Sequence, residues 1–180
     1  LHPTPGTATV LGFIPSERRK DFLNNISLVM GQKQQLWWDL PLYDSLLLQR
    51  DIYEMSPADF ATNLAELSKL LDLESFHKIQ VRKLSLGQRM RGELAAAFLY
   101  HPRVLFLDEP TIGLDVLAQR AIRQFISGYQ QHHHATIILT SHNLADVQEL
   151  AQRLVIIDHG QIMFNGQTSE LMARYVDHKR

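Results

Sequence analysis

The sequence predicts an α/β domain, a parallel sheet flanked by helices, with a small helical subdomain inserted into it. Three observations carry that expectation. Short apolar runs at 104–107, 136–140 and 154–157 alternate with helical segments, the pattern of a parallel sheet covered on both faces. Between 44 and 76 the apolar residues shift to three- and four-residue spacing, as in amphipathic helices. The chain has 180 residues, 45% of them hydrophobic, enough for one domain or slightly more with a substantial core.

Taken in order, residues 8–13 form a mostly apolar run bounded by Gly6 and Pro15 and read as a short edge strand. Residues 26–30 are a second apolar run after the charged stretch 17–21. In the helical segment, Leu46, Leu47 and Tyr53, then Phe60, Leu64, Leu67, Leu70 and Leu71, mark the buried face. Ser56 before Pro57 reads as an N-cap with Pro at the first helical position. Ser85 opens a helix that runs to about Tyr100. A continuous buried strand follows at 104–107, then an amphipathic helix at 117–131, a buried strand at 136–140 and a helix at 143–153. The strand at 154–157 leads through the tight turn Asp158-His159-Gly160-Gln161 into 162–164.

The composition narrows the function. With 18 basic and 19 acidic residues the net charge is −1, which gives no global electrostatic reason to bind nucleic acid or an anionic membrane. The absence of Cys removes disulfide frameworks, thiolate zinc sites and cysteine nucleophiles. The longest apolar run, 94–100, is far below the roughly 20 residues of a membrane helix, and no secretion signal is visible. The opening Leu1-His2-Pro3-Thr4-Pro5-Gly6 reads as the middle of a longer protein.

Chemistry concentrates at strand ends, where ligands of open parallel sheets bind. Residues 104–107 lead directly into Asp108-Glu109-Pro110. There one carboxylate can hold Mg²⁺ through its water shell and the next can deprotonate an attacking water. An apolar run before Asp-Glu is equally consistent with a solvated acidic turn. The next strand ends in Thr140-Ser141-His142, which places His142 to bond a terminal phosphate, although a lone His after a strand is more often an ordinary loop residue. Ser85 and Gln88 have capping-box spacing, and the same helix start offers backbone N–H groups, a hydroxyl and Gly87 to an anion. His132-His133-His134 resembles a metal tract but reads as a solvated loop, because no further ligands converge on it.

In combination, Leu84-Ser85-Leu86-Gly87-Gln88, Asp108-Glu109-Pro110-Thr111, Gly113-Leu114-Asp115 and Ser141-His142 resemble the ATP-binding-cassette (ABC) ATPase family. They are similar to its signature motif, Walker B strand with catalytic Glu, D-loop and switch His. Met30-Gly31-Gln32, followed by Leu36-Trp37-Trp38-Asp39-Leu40-Pro41, resembles the Q-loop, and Asp158-His159-Gly160-Gln161-Ile162 the closing hairpin. The resemblance implies a P-loop NTPase-like fold, with residues 1–40 and 101–180 as RecA-like core portions and 41–100 as the helical subdomain bearing the signature. It implies ATP and Mg²⁺ as ligands, Glu109 as general base, Asp108 and Gln32 as metal- and water-positioning groups, and His142 as the γ-phosphate clamp. Ser85, Gly87, Gln88 and Asp115 would face a nucleotide across a cassette dimer. The implied partner is a membrane-spanning permease subunit, with the cassette cytoplasmic on the inner face of the cell membrane and no nucleic acid partner.

Three departures stand out. No Gly is followed by Lys among the nine glycines, so the Gly-x-x-x-x-Gly-Lys-Ser/Thr phosphate loop is missing, which leads us to expect an N-terminally truncated cassette. Leu86 replaces the more common Gly, a variant similar to exporter-type cassettes. Ile112 stands where a small polar residue is usual. Trp37 and Trp38 read either as the groove for a permease helix or as core aromatics. Two alternatives remain: a soluble cassette of translation-factor or DNA-repair type, whose usual second cassette or coiled-coil arms are not visible here, and an inert fragment lacking the phosphate loop.

Overall fold

The computed structural model describes residues 6–31 and 35–177. A short helix α1 (Lys20–Leu23) leads into strand β1 (Ile26–Met30). Helices α2 (Leu42–Ile52), α3 (Pro57–Leu71) and α4 (Leu86–Phe98) follow, then β2 (Val104–Asp108). The chain continues as α5 (Val116–His133), β3 (Thr136–Thr140), α6 (Leu144–Leu150), β4 (Arg153–Asp158), β5 (Gln161–Gln167) and α7 (Thr168–Asp177).

Strands β1, β2 and β3 form a parallel sheet in that order, in matched register from Ile26, Val104 and Thr136 to Met30, Asp108 and Thr140. Central β2 carries the continuous apolar run a two-sided strand needs, and Val104, Leu105 and Leu107 are buried. The expectation of a buried strand at 136–140 is overturned. Among the described residues β3 is the edge of its sheet, with Ile137 and Leu139 packed toward the core and Ile138 49% exposed.

Two further expectations are corrected. Residues 8–13 do not form a strand: Leu11 and Gly12 both take positive φ, the chain turns back, and Val10 and Phe13 meet in one antiparallel bridge. The strand predicted at 154–157 is real and forms the expected hairpin with the strand after it, but among the described residues it does not join the parallel sheet. His159 and Gly160, also at positive φ, make a two-residue turn, and a turn that short forces β4 and β5 into antiparallel pairing.

Helix α4 is the center of the molecule, packing on β1, α2 and α3. Met90 and every residue from Gly92 to Phe98 are buried, as expected of a helix surrounded on all sides. Its Phe98 ring meets Phe125 at 4.9 Å and Tyr129 at 4.5 Å, both edge-on, joining α4 to the apolar face of α5. The predicted start of α3 holds: Ser56 Oγ accepts from the Asp59 N–H at 3.0 Å, with Pro57 in the first turn. The histidine tract is not a solvated loop. His132 and His133 complete the last turn of α5, His134 caps it in the left-handed conformation, and the His133 ring lies 4.2 Å from Tyr129 and 4.7 Å from His101.

Candidate functional site

The matched register puts the carboxyl ends of β1, β2 and β3 side by side, so the residues just beyond each strand gather on one edge. After β1 comes Gly31, whose N–H donates to the Asp108 carbonyl at 2.8 Å. Only glycine fits there: a Cβ would collide with the Glu109 carbonyl oxygen and lie 2.9 Å from Ile112 Cγ2. Gln32, the next residue, lies outside the described residues.

After β2, Asp108 Oδ1 accepts from Thr140 Oγ1 at 2.5 Å, tying the first acid to the neighboring strand end. Glu109 then adopts φ 51°, a left-handed conformation that a non-glycine residue takes at a cost. The Glu109 N–H donates to the Thr140 carbonyl at 3.0 Å. His142 meets the Glu109 carboxylate at both oxygens: Oε1 accepts from the backbone N–H at 3.1 Å, and Oε2 lies 2.9 Å from Nδ1 without the alignment of a hydrogen bond. The sequence assigns these two residues separate roles; the structure brings them into direct contact, with the imidazole largely exposed.

Beneath this pair is a network that sequence reasoning missed. Asp146 is fully buried in α6. Its Oδ2 accepts from Thr111 Oγ1 at 2.5 Å and from Ser141 Oγ at 2.8 Å, and its Oδ1 from Arg123 Nη1 at 3.1 Å. Thr111 lies two residues after Glu109 and Ser141 one before His142, so a single carboxylate staples both loops. Arg123 Nε is 3.0 Å from Glu149 Oε2, close enough for charge attraction but not aligned as a hydrogen bond. The available signal was Arg123, a charged residue beside the apolar stripe Ile122, Phe125, Ile126 and Tyr129 of an amphipathic helix.

The helix start at Ser85 is built as its spacing predicts. Ser85 Oγ accepts from the Gln88 N–H at 3.2 Å, and Gln88 Oε1 accepts from the Ser85 N–H at 3.0 Å. Asp115 caps α5, accepting from the Ala118 N–H at 2.9 Å. The two starts adjoin: a Cβ on Gly87 would lie 3.5 Å from Ala118 Cβ, and one on Gly113 3.3 Å from Leu86 Cδ2. Ser85, Gly87, Gln88 and Asp115 therefore form one group, and Asp108, Glu109 and His142 another.

Leu36 is buried, whereas Trp37 and Trp38 are 57% and 44% exposed, so the core reading of the tryptophans does not hold. The Arg89 guanidinium lies over the Trp38 ring at 5.6 Å. Among the described residues no helix is long and apolar enough to cross a membrane.

The donor set suits a metal-bound triphosphate in part. The acidic pair and His142 offer metal-, water- and phosphate-binding groups, and the start of α4 offers N–H groups to an anion. The chain has no glycine-lysine phosphate loop to enclose the remaining phosphates.

Comparison with known proteins agrees with this fold. The sequence profile of a family described as "ABC transporter" matches residues 1–112. The ABC transporter ATP-binding protein NatA of Bacillus subtilis is 25% identical over 171 residues, covering 95% of this chain and 69% of NatA. The doxorubicin resistance ATP-binding protein DrrA of Mycobacterium tuberculosis is 30% identical over 175 residues, covering 97% of this chain and 52% of DrrA. The chain thus spans only part of the length of either relative. A solved structure of an ATP-binding subunit of an ABC transporter superposes with a TM-score of 0.83 at 22% identity, covering 98% of this chain and 72% of that one.

Proposed function

Because the chain belongs to the ABC transporter family, as a part of its ATP-binding domain, we propose that it acts in an ATP-hydrolysing subunit that powers export through a separate membrane-spanning permease. The observation that carries this reading is the convergence of Asp108, Glu109 and His142 on one edge of the sheet, with Glu109 and His142 in contact.

Hydrolysis needs little covalent chemistry from the protein; positioning and charge do most of the work. Water attacks the γ-phosphorus, the bond to the bridging β–γ oxygen breaks, and ADP and phosphate leave. Glu109 takes the proton of the attacking water, and His142 bonds the γ-phosphate. Since the His142 imidazole lies against Glu109 Oε2 here, nucleotide binding would draw it toward phosphate and leave Oε2 open to the water. Asp108, held by Thr140, and Gln32 would hold Mg²⁺. The ion, when bound, neutralises phosphate charge.

In this reading two cassettes pair, and Ser85, Gly87, Gln88 and Asp115 of each meet the nucleotide held by the other. Residues 1–40 and 101–180 serve as core portions, and 41–100 as the helical subdomain. The exposed Trp37-Trp38 face receives the permease, which places the cassette on the cytoplasmic side of the cell membrane. Export is supported by Leu86 in the signature and by the drug-resistance relative DrrA.

The test is co-purification and MgATP hydrolysis by the full-length cassette with its permease. Permease-dependent ATPase activity, together with ATP-driven accumulation of substrate in inside-out vesicles, supports the proposal. Recovery with ribosomes or DNA instead of a membrane protein contradicts it.

A further inference from the structure

Helix α4 holds a second polar group besides its capped start. Glu93 is 3% exposed, and a carboxylate so buried persists only with partners. Its partners are backbone N–H groups of the segment leading to the tryptophans. Gln35 N–H donates to both carboxylate oxygens at 3.1 Å, and Leu36 N–H to Oε1 at 3.4 Å. Burial pushes the Glu93 carboxyl up from its ordinary value, and these two N–H groups, then Arg89, pull it part of the way back.

Two further contacts join the same segments. The Leu36 side chain fills space left by the missing side chain of Gly92: a Cβ there would lie 3.1 Å from Leu36 Cδ1 and 2.8 Å from Leu42 Cδ1. Arg89, one turn before Glu93, lies over Trp38. The Gln35 side-chain amide meanwhile donates to the Leu28 carbonyl, so residue 35 is gripped by α4 on one side and by β1 on the other.

We propose that Glu93 is a positioning residue that binds the 35–38 segment to α4, so that displacement at the Ser85–Gln88 end of the helix is carried to Trp37 and Trp38. Eight residues of helix separate Ser85 from Glu93, a rigid span of about 12 Å. Glu93 touches neither of the two residue groups assigned above and acts only through the backbone it holds. The mechanical use of this tether rests on the proposed function; the tether itself does not.

The chain contains two tryptophans, both in this segment, so its tryptophan emission reports on this segment alone. In the full chain, the amides of Gln35 and Leu36 should exchange hydrogen about 100-fold or more slowly than free loop amides. Glu93→Ala should release those two amides and raise acrylamide quenching of the tryptophans, while the far-UV signal of the helices persists. Glu93→Gln retains a carbonyl oxygen that can accept both N–H groups and should stay close to the parent in both measurements. Free exchange of the two amides in the parent chain overturns the proposal, even if Glu93→Ala fails to fold. So does a folded Glu93→Ala with unchanged exchange and quenching, or a Glu93→Gln that behaves like the alanine variant. MgATP binding is measured separately on the full-length cassette. Its failure counts against the nucleotide reading and leaves the tether result standing.

Discussion

Replacing Asp146 by alanine removes the carboxylate that accepts from Thr111, Ser141 and Arg123 at once. Arg123 would be left buried, with the half-exposed Glu149 as its remaining charge partner. Removing one partner of a buried ion pair costs about 3–5 kcal/mol. The two orphaned hydroxyls fall within that figure rather than adding to it, because the four groups form one network. Domains are typically stable by about 5–15 kcal/mol, so the loss is a large share of the total. At a urea dependence of roughly 2 kcal/mol per molar, the unfolding midpoint should fall by about 1.5–2.5 M. Asp146→Asn keeps the shape and one acceptor oxygen but loses the charge facing Arg123, and should lie between. The assay is equilibrium urea unfolding followed by circular dichroism and tryptophan emission. A midpoint shift below about 0.5 M for Asp146→Ala, the scale of an exposed ion pair, refutes the reasoning.

Three further outcomes are expected. This chain, without a glycine-lysine phosphate loop, should show little or no MgATP binding by calorimetry, and micromolar affinity would contradict that. Replacing both Trp37 and Trp38 by alanine in the assembled transporter should leave basal ATPase activity in place and uncouple it from transport; unchanged transport would refute the docking assignment. His101 has its pKa lowered by burial and by the neighboring His133. The unfolded chain therefore binds the proton more readily, so stability should be full above about pH 6.5 and fall as the pH drops below it. His101→Phe should flatten that part of the pH profile of the melting temperature.

Local signals were legible, and so was the one tertiary arrangement that sheet topology dictates; the other tertiary contacts were not. Ser85 with Gln88, Ser56 with Pro57, and the apolar run ending in Asp108 can be read from sequence because cap, helix and strand patterns are set by residues within a few positions. The grouping of Asp108, Glu109 and His142 was legible too, since strand ends of a parallel sheet share one edge. Asp146 and Glu93 were not, because their partners lie up to 35 and 58 positions away and each resembles an ordinary helix-surface acid. The same limit explains the edge strand β3. Burial of a strand depends on what covers it, and an apolar run does not carry that information. The histidine tract misled through polarity alone, since His133 finds its place against Tyr129 and His101.

Glu109 as the general base is the center of the proposed mechanism. The measurement that tests it most directly is single-turnover ATP hydrolysis by the assembled transporter carrying Glu109→Gln, alongside MgATP binding by the same preparation. Glutamine keeps the shape and one acceptor oxygen but cannot take the proton of water. The expected result is a fall in rate of about 10²–10⁴ with MgATP binding retained. Retention of more than about a tenth of the parent rate, well short of that range, would contradict it.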